Sequence, residues 1–355
     1  MFGSSFLDSK KALSLDRHQV HASLQDLPAQ ISQAWTELSP LSLPASFHGA
    51  NKILVCGMGG SALGARIISS IFASDLRLPV FIHHDYHLPA WIDKHTLIIL
   101  SSYSGGTDEI ISCAATIPED VPTFVITTGG KLAEMADSHG WPAYIFTPQH
   151  NPSGQPRLAI GYSTFALFTI LHLLDQLDSS ASAIDSLVEF LQNHSRSLLI
   201  STPRKSNPAK TLAEKLHQSQ LILVSSQHLD GSVYAGRNML HENAKTLTHH
   251  YTLPELNHHL LEGLTYPRSS HSQIQFVFFD SDLYPEIIKK RLQLTIDVVG
   301  RQGYRFHIIK PEAPDKLAQS CETIQFLGFL SFYLALLHRI DPASIPWVDY
   351  LKSKL

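Results

Sequence analysis

Short apolar runs alternate with longer helical stretches along this chain, and they do so twice. Lys52–Cys56 (KILVC), Pro79–His84 (PVFIHH), Thr96–Ser102 (TLIILSS), Thr123–Thr127 (TFVIT) and Ala143–Phe146 (AYIF) read as strands. Helices are predicted at Ser61–Phe72 and from about Thr107, with another before Ala143. Leu221–Ser226 (LILVSS), Ile274–Asp280 (IQFVFFD) and Phe306–Ile309 (FHII) repeat the pattern, with helices from about Gly231 and Pro285. Strands that are apolar on both faces, joined through helices, build parallel sheets covered on both sides. The expected fold class is α/β, two domains each with a mainly parallel sheet. A helix-rich stretch (158–200) and the breaks at Thr202-Pro203 and Asn207-Pro208 set the boundary. The expected domains are 1–190 and 191–355, with the first 40 or so residues packed on the first; 355 residues suit two domains of about 150. Two helices, about 315–339 and 345–355, close the chain.

Parallel sheets bind ligands beyond the carboxyl ends of their strands. The first such turn is GMGGSALGA, where Gly57, Gly59 and Gly60 permit close backbone approach and the helix start offers amides and partial positive charge. Gly57, Gly59 and Ala62 also fit GxGxxA, with Asp85 after the second strand, so a dinucleotide site stays open. A plain tight turn does too. The third strand ends in SSYSGGTDE. Its Ser102, Ser104 and Thr107 hydroxyls and the Gly105-Gly106 turn suit a phosphate dianion, or else form an ordinary Ser/Gly turn with Thr107 as N-cap. The second half carries GRNMLHENAK (Gly236–Lys245) and LPELNHH (Leu253–His259), where Glu242 and His258 could move protons or simply be surface residues. Arg157, in NPSGQPRLA, stands at a helix start where it could serve an anion or face solvent.

In this order, GMGGS, SYSGGT, PRLA, HENAK, PELNHH and the terminal DYLKSKL closely resemble the bifunctional phosphoglucose/phosphomannose isomerases, built from two SIS (sugar isomerase) domains. The resemblance runs from about Asn51 to Leu355. It implies that Gly59, Gly60, Ser61, Ser102, Ser104 and Thr107 hold a substrate phosphate. It implies Glu242 as the base that moves a proton between C1 and C2 through a cis-enediol, with Arg157 stabilising the enediolate. His258 would open the sugar ring, reaching in from the neighbouring subunit of a homodimer, and Lys352 would contact the sugar. Four positions depart from the family pattern. Gly106 replaces an Asn of SYSGNT, Arg66 an aspartate and His241 an asparagine. DPASI (Asp341–Ile345) stands for DPTPV, so the threonine linked to accepting both epimers is missing, with Ser344 nearby.

Other function classes fit less well. A net charge of −4 with a pI near 6.6 offers no global attraction for nucleic acid or an anionic membrane. The apolar run Phe326–Leu337, broken by Gly328, Ser331 and Tyr333, is too short to span a bilayer. MFGSSFLDSKK does not read as a signal peptide, and three widely spaced cysteines without CxxC point to a reducing, cytoplasmic setting. Among the 21 histidines, His83, His84 and His87, and His249 and His250, cluster without zinc spacing, so neither metal nor cofactor is expected. A dehydrogenase would not need the hydroxyl-rich third loop. A phosphosugar-sensing SIS protein would lack the Glu, Arg and His set. A SIS isomerase for another phosphosugar is the remaining alternative.

Overall fold

The computed structural model describes residues 6–355. The chain divides into two compact units, Asp26–Glu189 and Phe190–Leu355, the latter joined by the described N-terminal segment, residues 6–25. That segment, expected on the first domain, therefore belongs with the second unit.

In the first unit, β1 (Lys52–Gly57), β2 (Val80–His83), β3 (Thr96–Ser102), β4 (Thr123–Thr127) and β5 (Ala143–Ile145) form an all-parallel sheet of order β2-β1-β3-β4-β5. All of β3 is buried, which is why TLIILSS shows no polar alternation. On one face Leu54, Cys56, Ile98, Leu100 and Val125 pack on Ile110 and Ala114 of the Asp108–Ala114 helix and on Leu132 and Ala136 of Gly130–His139. The opposite-facing Ile53, Val55, Leu97 and Ile99 are buried as well. The Gly60–Ile71 helix lies against β1, β2 and β3 and packs on Ile160–Leu173, which packs on Leu27–Leu38.

The second unit repeats the architecture with four strands. These are β6 (Gln220–Ser225), β7 (Thr248–Thr252), β8 (Ile274–Phe279) and β9 (Arg305–Ile309), all parallel, in the order β7-β6-β8-β9. Strand β7 (THHYT) was not expected. It lies at a sheet edge and stays partly exposed, so it carries no apolar run to betray it. The helix Lys316–Leu337 is the centre of this unit: every residue from Ala318 to Leu337 is buried, against Pro208–Leu216, Asp230–Glu242 and Val20–Gln25. The run Phe326–Leu337 is thus part of a 22-residue helix that is long and apolar enough to cross a membrane by length and composition; its apolar surface faces protein on all sides.

Two polar anchors hold the N-terminal segment to this unit. The buried Lys210 Nζ donates to Asp8 Oδ1 (2.8 Å) and to the carbonyls of Ile200 (2.8 Å) and Thr202 (2.9 Å). The His21 ring packs on Phe329 and Phe332, and its Nε2 accepts the Ile200 N–H at 3.0 Å. Burial, helped by the Lys210 charge, pushes the His21 pKa down from 6.5 to about 4. An unfolded chain takes up a proton here below pH 6.5, whereas the folded chain refuses it until about pH 4. This contribution is therefore complete above pH 6.5 and lost as pH falls through that window, amounting to about 3 kcal/mol. Denaturant unfolding followed from neutral pH to about pH 4 should show this fall, and His21→Leu should flatten it; an unchanged slope in the variant would place the acid sensitivity elsewhere.

Candidate functional site

The turn after β1 enters the Gly60–Ile71 helix through Gly59, whose φ of +49° suits glycine. Gly60 and Gly64 then face another stretch of main chain directly. A Cβ on Gly60 would stand 2.9 Å from the Arg157 nitrogen and the Pro156 carbonyl; one on Gly64 would stand 2.5 Å from the Ser163 carbonyl. Only glycines allow this approach, and it lays the segment carrying Arg157 against the start of the helix. The phosphate-loop expectation for Gly60 thus meets a packing role that the sequence alone did not reveal.

The loop after β3 is tied to the same turn. Tyr103 N–H donates to Ser61 Oγ (3.0 Å), and the Ser101 hydroxyl donates to the Ser61 carbonyl (2.9 Å). Within the loop, Ser102 Oγ and Thr107 Oγ1 are 2.7 Å apart, Gly105 N–H donates to Ser102 Oγ (3.2 Å), and Gly106 N–H donates to Ser104 Oγ (3.3 Å). Thr107 occupies the N-cap position of the Asp108–Ala114 helix, but its hydroxyl pairs with Ser102 rather than with the helix. The turn after β4 braces the loop from below. Thr128 Oγ1 donates to the Tyr103 carbonyl (2.7 Å) and Leu132 N–H to the Gly105 carbonyl (2.9 Å). Gly60, Ser61, Ser101, Tyr103, Pro156, Ala159 and Ser163 line a small cavity at this junction.

The structure thus brings Gly59, Gly60, Ser61, Ser102, Ser104, Thr107 and the Arg157 segment together at the carboxyl edge of the first sheet. The Arg157 side chain is 2% exposed, and its Nη1 donates to Gln155 Oε1 at 2.8 Å. Asn151 Nδ2 donates to the Tyr103 hydroxyl (3.0 Å) and to the Gln155 carbonyl (3.1 Å). Sequence reasoning passed over Tyr103, Asn151 and Gln155. The NPSGQPR spacing, with two prolines around a left-handed Gly154 (φ +66°), was the available signal of a built loop.

The second unit carries the remaining residues on three separate elements. Glu242 is half-buried in the last turn of Asp230–Glu242. The chain behind it is fastened: Asn243 Nδ2 donates to Ser331 Oγ (3.0 Å), and Lys245 Nζ donates to the Asp341 carbonyl (3.1 Å). The HENAK and DPASI segments are therefore neighbours. His258 is exposed at the end of the 3-10 turn Glu255–His258, and Lys352 is exposed at the end of the helix Pro346–Lys352.

Residues 205–355 match the family described as the bacterial phospho-glucose isomerase C-terminal SIS domain. The bifunctional phosphoglucose/phosphomannose isomerase of Caldicellulosiruptor bescii is 29% identical over 94% of this chain and 98% of its own length. The protein of the same name from Thermoplasma acidophilum is 27% identical over 90% of this chain and 96% of its own. Over most of its length the chain is thus similar to bifunctional phosphoglucose/phosphomannose isomerases. A hypothetical protein from Thermus thermophilus shares the fold, with a TM-score of 0.74 at 15% identity, over 99% of this chain and 93% of that one.

Gly105 is the least replaceable residue of the loop after β3. Its φ is +68°, and a Cβ would lie 1.7 Å from the Gly129 carbonyl oxygen. Gly105→Ala is expected to cost about 2–4 kcal/mol of stability and to splay the loop from the β4 turn. Thermal unfolding checks this; a melting temperature equal to the wild type would mean that the two turns are not interlocked.

Proposed function

We propose that this protein is an aldose-ketose isomerase interconverting fructose 6-phosphate with glucose 6-phosphate and mannose 6-phosphate through a cis-enediol. The observation that carries this reading is the cluster of loop hydroxyls and helix-start amides at Ser61 and Ser102–Thr107, with a buried arginine segment laid against it. Gly59, Gly60, Ser61, Ser102, Ser104 and Thr107 hold the phosphate dianion, to which amides and hydroxyls are suited donors. Arg157 stabilises the negative charge that develops on the enediolate oxygen; as a fixed guanidinium in a dry setting it does so without reorganisation. Glu242 takes the proton from one carbon and returns it to the other, and one carboxylate suffices for both steps. His258 opens the ring by proton transfer to the ring oxygen, and Lys352 contacts the sugar. The reading assigns no cofactor and no metal.

The exposure of His258 supports a role across a subunit boundary, so the working form is a homodimer in which each His258 serves the partner's site. Three buried free cysteines suit a reducing cytoplasm. The contact between the HENAK loop and Asp341 supports an influence of DPASI on which epimer is accepted.

Two experiments test this. An EDTA-treated preparation given fructose 6-phosphate should yield glucose 6-phosphate and mannose 6-phosphate, and Glu242→Gln should lower kcat by roughly 10²–10⁴-fold with substrate still bound. No product from the wild type would overturn the reading. Mixing inactive Glu242→Gln with inactive His258→Ala and refolding together should restore part of the activity if His258 crosses the interface; no recovery would assign it to its own subunit.

A further inference from the structure

The Arg157 guanidinium has a neutral side chain among its partners, and the identity of that partner has consequences. A guanidinium offers only donors, so the Gln155 atom facing Nη1 at 2.8 Å is the amide oxygen. The Gln155 main chain is fixed in turn: its N–H donates to Ser153 Oγ (3.3 Å), and its carbonyl accepts from Asn151 Nδ2 (3.1 Å). Asn151 Oδ1 accepts the Ser153 hydroxyl (2.8 Å), and Asn151 Nδ2 reaches the Tyr103 hydroxyl (3.0 Å) inside the SYSGGT loop. A continuous hydrogen-bonded path therefore runs from that loop through Asn151 and Gln155 to Arg157. Asn151 and Ser153 are buried, Gln155 is half-buried and Arg157 is 2% exposed.

We infer that Gln155 is a positioning residue that fixes the Arg157 guanidinium without adding a negative charge of its own, and that the Asn151–Tyr103 path keeps it in register with the phosphate loop. This rests on the isomerase reading above. An arginine side chain has many rotamers to lose, so each anchor helps the group to meet a developing charge without moving. A carboxylate at position 155 would anchor it more strongly, yet it would offset charge that an enediolate requires. An amide gives orientation alone.

That distinction sets the test. Steady-state kinetics on fructose 6-phosphate would be measured for wild type, Gln155→Ala, Gln155→Glu, Arg157→Ala and the double variant Gln155→Ala/Arg157→Ala, with thermal unfolding of each. Gln155→Glu preserves the hydrogen bond and the shape, so it should melt with the wild type and still lose kcat by roughly 10–100-fold, KM shifting by less than about 3-fold. Gln155→Ala should fall in the same range and add nothing in the Arg157→Ala background, because it acts through that residue. A Gln155→Glu enzyme with wild-type kcat, or alanine effects that multiply independently, would overturn the inference while leaving the isomerase reading intact. An inactive wild type would overturn both.

Discussion

The close approach of two stretches of main chain in the first unit fixes where its loops and the Arg157 segment meet. Gly60 and Gly64, one helical turn apart, let the Gly60–Ile71 helix lie backbone to backbone on the Pro156–Thr164 segment, at distances that no side chain would permit. The helix start is where free amides and partial positive charge are available. Moving it outward by even an ångström would separate those amides from Arg157, and displacements of that size are costly where reacting groups must be aligned. The two glycines thereby lay the arginine segment against the helix start, where the proposed phosphate site lies.

Around that contact, the site is built from short bonds between loops rather than from long side chains reaching inward. Ser61 meets Tyr103, Ser102 meets Thr107, and the β4 turn holds the loop from beneath. Such a lattice is organised before substrate arrives, which lowers the ordering cost of binding a small anion. The arginine follows the same logic, since Gln155 anchors it with a neutral amide. The second unit supplies the contrast. Glu242 sits on a helix packed against the fully buried Lys316–Leu337 helix, while His258 and Lys352 stand exposed. In the proposed reading the base would stand on a rigid support and the accessory groups at the surface, which suits a proton that moves a short way and a sugar ring that must open and leave.

Much of this was legible in the residues. The buried strands announced themselves as apolar runs without alternation, since parallel strands covered on both faces have no polar side. The edge strand β7 escaped because THHYT is half-solvated and carries no apolar run. The loop at Ser102–Thr107 could be read as a tight turn because serines and glycines at a strand end favour one; its hydrogen bonds to Ser61 and to the β4 turn could not. The brace of Tyr103, Asn151 and Gln155 could not: ordinary polar residues some 50 positions apart acquire meaning only when folding joins them. The placement of the N-terminal segment with the second unit was hidden for the same reason, since Lys210 and His21 act through contacts nearly 200 residues away in sequence.

The central claim is that a carboxylate carries a proton between adjacent carbons through an enediol, and solvent exchange reads this most directly. Fructose 6-phosphate would be turned over in D2O and the aldose product examined by proton NMR. The account predicts deuterium at C2 in part of the product, because a proton held on Glu242 can exchange with solvent before it is returned. Product formed at the normal rate with C2 wholly protiated would contradict it and point to direct hydride transfer between the carbons.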